Sequence, residues 1–366
     1  MSEDKIIMHK GLKPLVLSMP LQLTENRVSR IYTGGALIDC FLGKSASVDG
    51  YYPENWIGSD TVALGGERPD EGIASVIIDG TLYSIASLIR DYPDAMLGPE
   101  HRSRIGDRTG ILVKELDSLT RLPIQSHPDS AFSKQYLNSS YGKTETWYIA
   151  GGRTVDGDAP HVYLGFNERA DKTLFRRHYD EQNVNGMFSM LNKVYVREHD
   201  FFVIPGKVPH AIGGGVFCIE VQEPTDFVFQ LDKKGPCWDL TPAQVHMGLG
   251  DNRMFESFDF DGQRGGVLLR NLASHHAPVE GAVDLLAGSW REFFGINIIT
   301  TTHNMEYTLN SFAVAIILEG EGYLDTSRSI WCKKGDAFIL PFAAGSLSIT
   351  ANGSPLSVFI ATPPAQ

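Results

Sequence analysis

Apolar residues along this chain fall in short runs rich in Val, Ile, Phe and Tyr, such as TWYIA, HVYLGF, KVYVREHDFFVIP and VFCIEV. Glycine (37) and proline (19) recur between them, so the chain is repeatedly turned before a long helix can form. That texture predicts many short strands. Helical spacing occurs in few places. Leu82, Ile85, Leu88 and Ile89 share one apolar face, and the run from Asp171 to Leu191 predicts a helix pair. Thr241-Pro242 reads as an N-cap followed by proline at the first helical position. The fold class expected is mainly β with helical insertions.

A weak internal repeat sharpens this picture. FVIPGKVPHAI (202–212) matches FILPFAAGSLSI (338–349), each a buried strand, a proline turn and a further strand. Each is preceded by a strand ending in glycine, ETWYIAGG and VAIILEGEG. Strand, glycine turn, strand, proline turn, strand is the order of a cupin-type jelly-roll barrel. Two such barrels are expected, an N-terminal domain over 1–265 with the helical insertions and a C-terminal domain over 266–366, joined through residues 255 to 285. Superposing the copies puts His210 on Ser346 and Glu145 on Val314, so only the first copy keeps polar ligands and the second is expected to be metal-free.

With 366 residues, 42% of them hydrophobic, the chain can bury at least one large core, is long enough for two domains and should fold without staples. Cys40, Cys218, Cys237 and Cys332 show no CxxC spacing, which predicts reduced structural residues rather than a disulfide framework. MSEDKIIMHKGLKPL shows no secretory pattern and no stretch reaches ~18 uninterrupted apolar residues, so a cytoplasmic protein is expected. A net charge of -12 repels polyanions and argues against nucleic acid, yet a local basic cluster still admits a small anionic substrate. No Walker A loop, GxGxxG or GxSxG occurs, and Gly213-Gly214-Gly215 reads as a turn.

Gln125 and His127 flank Ser126 after the apolar LPI run, and residues two apart on a strand face the same way. Glu145 enters an apolar strand two residues before its Trp, and His210 starts the strand after the proline turn. Each alone reads as a strand-end or core polar residue. Together, Gln125, His127, Glu145 and His210 form an N/O set suited to Zn²⁺ or another divalent first-row metal. The absence of thiolates favours an open, catalytic site.

The segments IQSHPDSAF, GKTETWYIA, FFVIPGKVPHAIGGG and IEVQEPTDF resemble, in order and separation, the motifs of type I mannose-6-phosphate isomerases. GYYPENWIGSD and VYLGFNERADKTLF extend the resemblance, which is good over residues 28 to 235 and looser beyond. It implies zinc on Gln125, His127, Glu145 and His210, an active-site Lys143, and a functional carboxylate at Glu220. The implied reaction interconverts mannose 6-phosphate and fructose 6-phosphate through an enediol. The sequence departs from the family at Gln230, where a catalytic arginine is expected, and at Tyr32-Thr33-Gly34-Gly35, where a Trp precedes the glycines. Lys207, Lys233 or Lys234 are candidates to restore that charge; otherwise the substrate is a different or unphosphorylated sugar. Three readings stand open: a sugar isomerase, a sugar-binding or regulatory homologue without turnover, and an iron dioxygenase. The Gln and Glu ligands argue against the last. The partner expected is a small sugar or sugar phosphate, with homo-oligomerisation through the second barrel as a further possibility.

Overall fold

The computed structural model describes residues 14–364. Two jelly-roll units account for nearly all strands, and every strand pairing is antiparallel. In the first unit a seven-stranded sheet runs Ala273–His275, Asp200–Ile204, Glu145–Gly152, Val216–Gln222, Leu112–Ser118, Glu54–Ile57, Arg27–Val28. Facing it is a five-stranded sheet, Leu191–Tyr195, His161–Phe166, His210–Ile212, Gln125–Ser126, Phe229–Gln230. The second unit pairs a six-stranded sheet (Leu21–Gln22, Ala337–Leu340, Ala313–Glu319, Leu356–Thr362, Gly295–Thr301, Gly281–Asp284) with a four-stranded one (Asn304–Thr308, Ser346–Ala351, Glu321–Asp325, Ser329–Lys333). None of these sheets closes on itself, so the expected barrels are pairs of facing sheets.

The strand sequences explain the layering. AVAIILE (313–319) is apolar at consecutive positions because both faces of the six-stranded sheet are covered. Val314, Ile316, Ile339 and Phe359 join a core shared with the first unit, whereas Ala313, Ala315, Phe338 and Ile360 fill the second unit's own interior. Tyr148 of the seven-stranded sheet lies 5.7 Å from Phe359 across that shared core. The outer strand Glu321–Asp325 instead alternates exposed and buried, as a half-solvated sheet requires. The chain also crosses between the units: Leu21 and Gln22 pair with Ile339 and Phe338 of the second, and Ala273–His275 pairs with Asp200–Phe202 of the first.

Helices Lys172–Asp180 and Val184–Phe188 form the anticipated pair. Thr241 caps Pro242–His246 with a full capping box. The helix expected around residue 85 is shorter than its apolar spacing suggests. Ser84 caps it by accepting from Ser87 N–H, leaving Ile85, Leu88 and Ile89 buried in Ile85–Asp91. Leu82 lies before that cap, in a β-hairpin strand, and is 60% exposed. Ladder register also corrects the repeat by one residue. Glu145 pairs with Ile204, and the matching Leu340 pairs with Ala313 rather than Val314. Because a one-residue slip reverses the face, Val314 points to the shared core and Ala313 occupies the interior position. Gly213–Gly215 forms the turn expected. All four cysteines are free, and among the described residues no helix is long and apolar enough to cross a membrane.

Candidate metal centre

Three turns bring distant residues to one point between the first unit's sheets. Glu145 begins its strand after a turn that Glu223 holds, accepting from Gly142 N–H (3.1 Å) and Thr144 N–H (2.8 Å). Gly142 is required there, since a Cβ would lie 2.6 Å from the Pro128 carbonyl oxygen. His210 follows the proline turn, and His127 follows the strand Gln125–Ser126.

His127, Glu145 and His210 are fully buried, and their ligand atoms lie within 4.8 Å of one another. His127 Nε2 is 3.1 Å from His210 Nε2 and 3.1 Å from Glu145 Oε2, and His210 Nε2 is 3.3 Å from Glu145 Oε1. The Nδ1 atoms face carbonyl oxygens, of Phe227 for His127 (2.8 Å) and Val208 for His210 (2.9 Å). A carbonyl only accepts, so both Nδ1 atoms carry the proton and both Nε2 atoms present lone pairs to each other. Among the described residues Glu145 Oε1 has no hydrogen-bond partner although buried. The Lys143 ammonium meets Glu145 Oε2 and His127 Nε2, which leaves His210 Nε2 and Glu145 Oε1 as close buried acceptors that a further cation would join.

The electrostatics agree. Burial, with the Lys143 ammonium nearby, pushes the His127 imidazole down to about 3. Burial also lowers His210. Burial works against the Glu145 carboxylate, but the Lys143 ammonium beside it holds it well below the usual carboxylate range. Neutral imidazoles and an ionised carboxylate are the forms that ligate a divalent metal, so the residues present fit one.

Gln125 is half-buried and sits on the ladder between His210 and Gln230. Ser126 points the other way, its hydroxyl donating to the Ser257 carbonyl (3.0 Å). Lys143 donates to Glu145 Oε2 (2.7 Å) and lies 2.9 Å from His127 Nε2. Glu220 stands opposite Trp147, whose indole N–H donates to it at 3.4 Å and whose ring lies 5.5 Å from the His210 ring. Burial raises the Glu220 carboxyl to about 7 while Lys114, 3.1 Å away, pulls it down. Gln230 is buried and its amide donates to the Gln244 carbonyl (3.2 Å). Lys233 lies 3.8 Å from Asp251 and Lys234 2.9 Å from Asp239, so neither offers the uncommitted charge considered from the sequence.

A buried charge network that the sequence did not reveal continues from Glu220. Lys114 lies opposite Glu220 and Trp56 on the ladder. Glu54 accepts from Tyr32 Oη and Trp56 Nε1, each at 2.7 Å, and pairs with Arg30 at 2.9 Å. Arg30 also reaches Asp226 (3.3 Å). The available signal was phase: Lys114 shares a face with Leu112 and Leu116 in a strand that is buried throughout.

Comparison with known proteins bears on the fold. The family described as "Mannose-6-phosphate isomerase, cupin domain" matches residues 289–360. Mannose-6-phosphate isomerase ManA of Bacillus subtilis is 27% identical over 255 residues, 67% of this chain and 73% of that protein. The mannose-6-phosphate isomerase of Streptococcus mutans is 31% identical over 142 residues, 37% of this chain and 42% of its own. Among solved structures, mannose 6-phosphate isomerase from Bacillus subtilis has a TM-score of 0.67 at 20% identity, covering 94% of this chain and 99% of the other. A mutant of phosphomannose isomerase from Salmonella typhimurium has a TM-score of 0.72 at 15% identity, covering 95% and 100%. Taken with the two-unit cupin architecture, these similarities show a cupin fold like that of the phosphomannose isomerases, with sequence similarity to mannose-6-phosphate isomerases over two thirds of the chain.

Proposed function

We propose that the protein is a metal-dependent aldose-ketose isomerase acting on mannose 6-phosphate and fructose 6-phosphate or a close relative. The observation that carries this reading is the meeting of three buried side chains, His127, Glu145 and His210, whose ligand atoms lie within 4.8 Å of one another. With Gln125 they would hold Zn²⁺ or another first-row divalent ion, which when bound supplies Lewis acidity at the sugar carbonyl. Glu220 takes the proton from C2 of the aldose and returns it to C1 of the enediol. A carboxyl near 7 suits that exchange at neutral pH, and Lys114 holds it in place. Lys143 positions Glu145 and favours negative charge on the sugar oxygens. Gln230 contributes a neutral amide to the sheet that carries Gln125 and His210. Catalysis then belongs to the unit built mainly from 1–265, with 266–366 as a metal-free cupin unit.

Gln230 also favours a second reading, a sugar-binding homologue without turnover, because an amide cannot replace the charge of an arginine. Metal analysis combined with solvent proton exchange at C1 and C2 separates the two. Stoichiometric divalent metal with exchange on a hexose phosphate is expected. Metal without exchange on any hexose or hexose phosphate would favour the binding role, and protein that takes up no metal would overturn both.

A further inference from the structure

The turn between Asp200–Ile204 and His210–Ile212 is shaped by two adjacent residues. Gly206 is needed because a Cβ there would lie 2.9 Å from Asp129 Cα. Lys207 has φ 71, a left-handed conformation that glycine adopts freely and a lysine only at steric cost. Its N–H donates to the His127 carbonyl (2.7 Å), and its own carbonyl accepts from Asp259 N–H (2.9 Å). Glycine would make both bonds without strain, so the backbone gives no reason for a lysine. A strained side chain kept beside a functional cluster points to a task of its own.

Charge on the surrounding elements narrows that task. Lys143 faces Glu145, Lys114 faces Glu220, Arg30 faces Glu54 and Asp226, and Arg253 faces Glu256. Arg264 donates to the carbonyls of Ala170 and Phe260. The Lys207 ammonium has no carboxylate, carbonyl or aromatic partner among the described residues, although the residue is half-buried. The Lys207 backbone is bonded to His127, and in a chain of net charge -12 an uncommitted cation on this turn selects for an anion.

We infer that Lys207 is the anion clamp of this site, binding the phosphate of a sugar phosphate whose reacting carbons lie at His127, Glu145 and His210. The sugar part of this assignment rests on the isomerase reading above; the binding of phosphate does not. The test compares wild type, Lys207→Gly, which removes charge and strain together, and Lys207→Arg, which keeps the charge. Inorganic phosphate is titrated calorimetrically into each metal-loaded, full-length protein. Lys207→Gly is expected to bind phosphate about tenfold or more weakly, with Lys207→Arg within about threefold of wild type. Metal content and melting temperature should not fall in Lys207→Gly. For mannose 6-phosphate, KM should rise by more than kcat falls. Equal phosphate affinity in wild type and Lys207→Gly, or no phosphate binding by wild type, would overturn the inference. Lys207-dependent phosphate binding without isomerisation of any sugar phosphate would uphold it and sink the isomerase reading instead.

Discussion

The two jelly-roll units share one strand plan and fill it in opposite ways. At matching ladder positions the first carries Glu145, Trp147, Glu220 and Lys114, and the second carries Ala313, Ala315, Ile360 and Asn297. His210 opens the strand after one proline turn and Ser346 opens its counterpart. Among described residues from 281 onward the buried polar side chains are Thr300, Thr301 and Ser357, none of them charged. The first unit buries Glu54, Lys114, Glu115, Asp117, Lys143, Glu145, Glu220, Glu223 and Asp232. Burying charge is costly unless each group is compensated, whereas an apolar residue gains roughly 1.5–3 kcal/mol when fully buried. The contrast teaches a division of labour: one unit tolerates an expensive polar interior, and the other, packed against it through the six-stranded sheet, supplies apolar burial.

The most severe way to break that contrast is to remove a ligand. His127→Ala should reduce bound metal to background and abolish sugar proton exchange, read by elemental analysis and deuterium incorporation. Ser346→His in the second unit should bind no extra metal, because Ala313 offers no carboxylate beside it. A gain of metal there would show that one imidazole suffices and that the comparison has been drawn too sharply. Next in size is Glu220→Gln, which keeps the ligands and removes the proposed base. A fall of about 10² to 10⁴ in kcat with metal retained is expected. Loss of metal, or unchanged turnover, would move the base elsewhere.

Residue type and turn chemistry made part of this site readable in advance. The proline turn before His210 and the two-residue spacing of Gln125 and His127 mark strand ends that can face one interior. The repeat exposed the ligand-poor second copy, but its register failed by one residue at Val314, since AVAIILE is apolar on both faces and gives no alternation to fix the phase. Lys114 escaped because a strand lysine ordinarily points outward, and its partners Glu220, Glu54 and Asp226 come from separate segments. Glu223 escaped for another reason: it acts on backbone N–H groups, which leave no trace in side-chain chemistry. Leu82 was misread because helical spacing continued through a residue that precedes the Ser84 cap.

A fourth prediction concerns the cost of the polar interior itself. Glu115 is fully buried on the opposite face of its strand from Lys114; one oxygen accepts from Asn55 (2.9 Å) and the other has no hydrogen-bond partner among the described residues. Burial pushes its carboxyl up to about 7, against the Asn55 bond that lowers it. The folded state therefore holds this proton more tightly than the unfolded chain, and stability falls as pH rises from about 4.5 to 7, then levels. Glu115→Gln mimics the neutral form. Relative to wild type it should gain up to the order of 3 kcal/mol between pH 4 and pH 8, measured by urea unfolding. A parallel pH dependence in both proteins would show that water or a cation compensates the carboxylate.

The smallest effect tests whether the helical cover of the first unit is set by local rules. Helix Pro242–His246 carries the Gln244 carbonyl that fixes Gln230, and its start depends on the reciprocal bonds between Thr241 and Gln244. Thr241→Ala removes the hydroxyl acceptor from the Gln244 N–H, and a lost N-cap costs about 1 kcal/mol. Chemical denaturation should show a drop of that size. Metal content should be unchanged, because none of His127, Glu145 and His210 lies on this helix. If metal were lost as well, the helix would be holding the ligand sheet in place, and the polar interior of the first unit would depend on its insertions as much as on its strands.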